Sequence, residues 1–312
     1  MTTRARKYTT WVIALALALV ACTSNDEPGP DTQSQDTGRP RIVVGSFDFA
    51  ESRIIAEAYA LALEDAGYPV ERLASVASRE IMEPALEQGF VDFVPEYQGT
   101  VLTFLNLGRA TGNWNPEETH ELLTLAFGGR GIDVLEYARA ENKNEVVVTQ
   151  ETADRYNLET ISDLRKDAPN LVFGGPPECP ARPQCLLGLE ETYGLEFKAF
   201  QPLDVGGTLT VAALEGEEVD VATLFTTNPE IAAKGFVILK DDLNLQPSEN
   251  LVPVVRAEIS ETYGEDFERV VNSVTRKLST ADLRQLNGEV EIEGEVPAEA
   301  AREWLAEEGL LR

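Results

Sequence analysis

Histidine is all but missing from these 312 residues: His120 is the single one. A Ser-His-Asp hydrolase needs its histidine between a nucleophile and an orienting acid, and zinc is held by several His or Cys side chains together. One exposed histidine at a polar-flanked helix start serves neither chemistry. The chain also lacks a glycine-rich phosphate loop and a dinucleotide fingerprint. Basic residues are in short supply, 26 Lys plus Arg against 54 Asp plus Glu, for a formal charge of −28. A nucleic-acid partner calls for a basic face, so that class of partner is excluded. Paired acids arise by chance in so acidic a chain, and no pair is read as a glycosidase site. We therefore expect neither catalysis nor a metal or cofactor, and read the acidity as solubility or tolerance of salt.

No apolar run is long enough to span a bilayer stably. The stretch from Trp11 to Ala21 follows a basic start (Arg4, Arg6, Lys7) and ends in Leu19-Val20-Ala21-Cys22. Its length suits a signal peptide. Small residues before a cysteine resemble the lipobox of bacterial lipoproteins. That implies a signal peptide over 1–21 and a lipid-modified Cys22, which tethers the chain to a membrane without crossing it. An ordinary signal peptide with a chance cysteine is the alternative. Residues 23–40 contain no apolar side chain and are rich in Asp, Pro, Gly, Ser and Thr, so 22–40 reads as the anchored Cys and a flexible linker. The other two cysteines, Cys179 and Cys185, stand close together in ECPARPQC. In an exported chain such a pair favours a disulfide over a metal site, worth about 2 kcal/mol by chain entropy for so small a loop.

What remains has the composition of a folded soluble protein, 43% hydrophobic and 26% charged, and the length for two domains. From Arg41 onward short apolar runs alternate with helical patterns, the mark of parallel sheets covered by helices. Ile42–Gly45 reads as a strand, and Ser52–Ala66 carries a helical stripe that stops at Gly67. Thr119–Phe127 is a second helix and Glu145–Thr149 a strand. An internal echo organises the chain: Ala85-Leu86-Glu87-Gln88-Gly89-Phe90-Val91-Asp92 returns as Ala213-Leu214-Glu215-Gly216-Glu217-Glu218-Val219-Asp220, and IVVG at 42–45 as LVFG at 171–174. Two lobes of similar plan are predicted, 41–144 plus 252–312 and 145–251, with helices around 266–278, 282–286 and 298–310 returning to the first. Ligands of open α/β sheets sit off the carboxyl ends of the strands, so two facing lobes make a cleft, and two crossings make a hinge.

Gly45–Glu51 (GSFDFAE), Val91–Thr100 (VDFVPEYQGT), Glu178–Leu189, Phe225–Ile231, Leu239–Asp242 and Pro253–Arg256, in order and over about 40–312, resemble the osmoprotectant-type substrate-binding proteins. The resemblance implies a type II periplasmic-binding-protein fold, with two α/β lobes and the ligand cleft between them. It implies the solute-binding subunit of an ABC importer for glycine betaine, choline or carnitine-like solutes, a monomer on the outer face of the membrane or in the periplasm, working with a permease and an ATPase. A ligand-sensing or accessory surface lipoprotein on the same fold is the alternative. In that family an Arg of the second lobe takes the ligand's carboxylate, and a cage of tyrosines takes a quaternary ammonium by cation–π attraction. Arg182 stands at the Arg position, and Asp92 at an Asp whose main chain lines the cage. Val94 and Ser248 stand where cage tyrosines are expected. Two lost rings imply an altered ligand, still zwitterionic or carboxylate-bearing, and poor binding of glycine betaine, unless Phe47, Tyr97 or Trp114 replaces them.

Other candidates are weighed from the residues themselves. Phe47 and Tyr97 follow strands and either wall the cleft or pack. Thr226, Thr227 and Asn228 offer hydrogen bonds to a ligand, or a cap for the helix starting near Pro229. Gly206-Gly207-Thr208 opens a helix. Glu96 either opposes a cationic group or is a solvated loop acid.

Overall fold

In a computed structural model, residues 39–76, 78–106 and 115–311 are described. The signal peptide, Cys22, nearly all of the linker and Trp114 lie outside them. The chain begins with β1 (Ile42–Phe47), α1 (Ala50–Asp65), β2 (Val70–Val76), α2 (Arg79–Gln88), β3 (Phe93–Tyr97), α3 (Gln98–Leu105), α4 (Pro116–Gly128) and β4 (Ile132–Val134). A second run follows: β5 (Asn144–Val148), α5 (Gln150–Tyr156), β6 (Val172–Gly175), α6 (Leu186–Tyr193), β7 (Ala199–Pro202), α7 (Thr208–Glu215), β8 (Val221–Phe225), α8 (Glu230–Lys234) and β9 (Val237–Leu239). It closes with β10 (Leu251–Arg256), α9 (Ala257–Tyr263), α10 (Glu265–Thr275), α11 (Thr280–Glu291) and α12 (Pro297–Glu307).

Among the described residues two five-stranded sheets form, β2-β1-β3-β10-β4 and β7-β6-β8-β5-β9. We call the halves built on them lobe 1 and lobe 2. Neither sheet is purely parallel, as the alternation of elements suggested. In lobe 1 β10 runs antiparallel to β3 and β4, and in lobe 2 β5 runs antiparallel to β8 and β9. The cause is the route of the chain. Each of these strands arrives from the other lobe and enters at the carboxyl end of the parallel strands: Leu251 pairs with Tyr97 and Asn144 with Phe225. A strand entering there can only run against its neighbours. Asn144 thus belongs to the second sheet and Leu251 to the first. The two crossing segments bridge each other at Glu141 and Asn250.

The echoed segments occupy matching places. Asp92 takes a hydrogen bond from the Val43 amide on its carboxylate (2.9 Å) and donates its own amide to the Val43 carbonyl. Asp220 does the same with Val172. Upstream of each, a glycine leaves space for the valine before the Asp: a Cβ on Gly45 would lie 2.9 Å from Val91, and one on Gly174 3.0 Å from Val219. The repeat therefore records a packing need shared by the two lobes.

Helices α10, α11 and α12 pack against α1 in the same core as β1 and β3, with Ile54, Ile55, Tyr59, Phe267, Leu283 and Trp304 buried together. Burying each large apolar side chain there contributes about 1.5–3 kcal/mol. In lobe 2, Phe173, Leu164, Leu189 and Tyr193 gather with Cys179 and Cys185. The two cysteines form a disulfide that closes the loop carrying Arg182.

Candidate functional site

The carboxyl ends of the parallel strands in both sheets face one cleft, which holds a cavity of about 110 Å³. An engineered cavity of about 150 Å³ admits benzene, so the space suits a solute of that order. Four rings wall it: Phe47 at the end of β1, Phe49 in the turn after it, Tyr97 at the end of β3, and Phe225 at the end of β8. Phe49 is central, with centroids 6.3 Å from Phe47, 6.2 Å from Tyr97 and 5.9 Å from Phe225 across the cleft. The Tyr97 hydroxyl donates to buried Glu51 (2.5 Å), which fixes the ring; burial and the Glu51 charge push the phenol well above its ordinary pKa.

Two arginines also border the cavity. Arg182 follows the short 3₁₀ turn Cys179–Ala181 in lobe 2, and its side chain is 19% exposed. It pairs with Glu80 of α2 (Nη2–Oε1 2.8 Å) and lies 5.5 Å from the Phe104 ring. Burial opposes the charge on Glu80, but hydrogen bonds from Ser78 and the backbone, with the charge of Arg182, hold its carboxyl below the ordinary value. Arg79 is held from behind by Glu96 (Nη2–Oε2 2.7 Å, Nε–Oε1 3.0 Å) and stacks 5.0 Å from the Phe47 ring. Although burial works against its charge, Glu96 keeps its pKa above the ordinary value. Gln184 donates to Thr103 across the cleft (2.9 Å). Arg182 and Gln184 also border a second, larger space of about 340 Å³.

Of the residues singled out from the sequence, Phe47, Tyr97 and Arg182 come together around the cavity, with Cys179 and Cys185 beside them. Thr227 and Asn228 border a smaller adjoining space. Asn228 also caps α8, its Oδ1 accepting from the Glu230 amide. Asp92, Val94 and Ser248 do not reach the cleft. The Asp92 carboxylate binds Arg256 and Val43 near the start of β3. Val94, 0% exposed and paired with Val254, packs into the core between the lobe 1 sheet and α2, α3 and α4. Side chains alternate along β3, so the register that brings Tyr97 to the cleft sends Val94 away from it. The Ser248 hydroxyl meets Asn250 in the crossing. Glu96 is neither a solvated acid nor a ligand group but the buried partner of Arg79, and His120 is half-buried beside Tyr137 rather than exposed. Sequence reasoning passed over Phe49, Phe225, Arg79 and Glu80. The two phenylalanines were within reach, since each ends or follows a strand whose carboxyl end faces the cleft.

The chain matches, over residues 40–307, the family described as the substrate-binding domain of the ABC-type glycine betaine transport system. Among curated proteins it is 26% identical to a glycine-betaine-binding protein of Pseudomonas aeruginosa, over 86% of this chain and 88% of that one. It is 25% identical to an ergothioneine transport permease/ergothioneine binding protein of Helicobacter pylori, of which it spans about half, 48% of the length. A crystal structure titled as a glycine betaine/carnitine/choline ABC transporter superposes with a TM-score of 0.69 at 27% identity, covering 86% of this chain and 99% of the other.

Proposed function

The chain belongs to the family of substrate-binding domains of ABC-type glycine betaine transport systems, and we propose that its cleft takes a small zwitterion with the carboxylate on Arg182 and the cationic head among Phe47, Phe49, Tyr97 and Phe225. The observation that carries this reading is the pairing of a guanidinium with four aromatic side chains around one small cavity. A guanidinium fork suits a carboxylate. Ring faces attract an onium group by about 0.5–2 kcal/mol. The rings at 49 and 225 supply the aromatic surface that Val94 and Ser248 do not. On this reading the cationic head belongs to the quaternary ammonium class, against which those two positions alone would argue.

In this reading the protein is a monomer held outside the cell by lipid on Cys22, and delivers its solute to a permease driven by an ATPase. Its lobes, divided near the crossings at 135–143 and 240–250, close on the ligand by a hinge. The LVAC sequence supports the anchor, and Cys22→Ser should release the protein from membranes. The role is one of binding, not catalysis. The test of the site is a thermal-shift panel with the solutes named for its relatives: glycine betaine, carnitine, ergothioneine and choline. A bound ligand at 100 times its Kd adds about 2.7 kcal/mol of stability. We expect at least one carboxylate-bearing member to raise the Tm more than choline, which has none. No shift with any of the four would overturn the reading.

A further inference from the structure

The second crossing is gripped at close range from both lobes. On the lobe 1 side it packs on Gly99 of α3, where a Cβ would lie 2.7 Å from both Pro247 Cγ and the Ser248 carbonyl oxygen. On the lobe 2 side it packs on Gly188 of α6, where a Cβ would lie 2.7 Å from Leu245 Cδ1. The amides of Leu245 and Gln246 are tied to the Asp241 carboxylate (2.9 and 2.8 Å), which also takes the Tyr193 hydroxyl of lobe 2. Leu245 therefore moves with lobe 2 and Pro247 with lobe 1. A change of angle between the lobes falls on the link at Gln246, the one residue between those grips.

Gln184 spans that link. Its carbonyl accepts from the Gln246 side chain (2.9 Å) and from Asn144 at the start of β5 (3.0 Å), so its main chain is fixed against both crossings. Its side chain reaches over to lobe 1 and donates to the Thr103 hydroxyl of α3 (2.9 Å). The Thr103 hydroxyl spends its own proton on the Gly99 carbonyl (2.9 Å) and can only accept from Gln184, so the amide presents its nitrogen there. Gln184 is 7% exposed and Thr103 4%, which keeps water from competing for the bond. The bond also carries no charge, unlike the Arg182–Glu80 pair, so a ligand carboxylate does not compete for it.

We infer that Gln184 is the lock of the hinge: its bond to Thr103 forms at one angle of the link at Gln246 and must break before the lobes part. Gln184 thereby sets how long a solute is held, by acting on reopening rather than on the solute. The inference rests on the closing-lobe reading of the proposed function and assigns the residue that holds the closed state.

Stopped-flow kinetics with glycine betaine test this on the mature protein, on Gln184→Met and Thr103→Val, and on the two combined. Each single change removes one side of the bond at nearly constant size. Each should speed release about fivefold and leave the association rate within about twofold. The combined variant should release no faster than the faster single one, because both lose the same bond. Thr103→Ser keeps the hydroxyl and should release as the parent does. Saturable binding by each variant shows that it is folded. Release as slow as the parent's, a loss confined to association, or effects that multiply in the combined variant would overturn the lock while the cleft reading stands. If glycine betaine does not bind the parent, the zwitterion reading falls and the lock is read without ligand. Small-angle scattering should then give Gln184→Met a larger radius of gyration than the parent, and equal radii would overturn it.

Discussion

Arg182 and Glu80 reach toward each other from opposite lobes and form an ion pair at the edge of the cavity, Nη2–Oε1 2.8 Å. The Glu80 carboxylate thus stands where, in the proposed function, the carboxylate of the solute would stand. Binding then exchanges one carboxylate for another, and Glu80 competes with the ligand.

Half of that pair is open to water, the Glu80 side chain being 53% exposed, so it contributes at most about 1 kcal/mol. Glu80→Gln should therefore bind glycine betaine about two- to fivefold more tightly. Unchanged or weaker binding by calorimetry would mean that Glu80 positions Arg182 rather than competing for it.

The ring at 49 and the valine at 94 should behave in opposite ways. Phe49→Leu keeps apolar bulk but removes a π face, and should weaken glycine betaine by about 0.5–2 kcal/mol with little loss of Tm. Val94→Ala removes buried core volume, and should lower stability by about 1–3 kcal/mol with affinity unchanged. Loss of affinity in Val94→Ala would place that residue at the ligand after all.

Acidic residues behind the cleft give the fold an unusual dependence on pH. Burial, with the neighbouring Glu96, pushes Glu83 up to about 8 from an ordinary 4.5. Between those values the folded protein keeps the proton and the unfolded chain releases it. The stability tied to this group is full below pH 4.5 and is lost as pH rises to 8. Burial pushes Glu249 up to about 7, which acts in the same direction. Glu83→Gln should match the parent near pH 5 and exceed its Tm by about 2 °C or more at pH 8. A Tm difference that does not change with pH contradicts this assignment.

Much of the architecture was legible because it rests on periodic patterns. The stripe from Ile54 to Ala62 marked α1, the apolar runs marked β1, β5 and β10, and the Val-Asp echo marked equivalent strands in two lobes. The antiparallel entry of β5 and β10 was not legible, since strand direction depends on where the chain comes from rather than on local pattern. At the cavity, Arg182 and Tyr97 had been singled out through the segments they lie in. Val94 misled because a position in a motif does not say which face of a strand it occupies, and Ser248 because it lies in the crossing segment, where its hydroxyl meets Asn250. Arg79 and Glu80 were missed for another reason: their roles come from partners elsewhere along the chain, Glu96 and Arg182.

The central claim is that Arg182 reads a carboxylate while the rings read a cation, and one calorimetric series tests it most directly: glycine betaine and choline, each titrated into the parent protein and into Arg182→Ala. In the parent, glycine betaine should bind more tightly than choline. In Arg182→Ala it should lose about 2–5 kcal/mol of binding, if the ion pair is fully desolvated in the closed cleft, while choline changes little. Glycine betaine binding that is as tight without the Arg182 side chain would contradict the account.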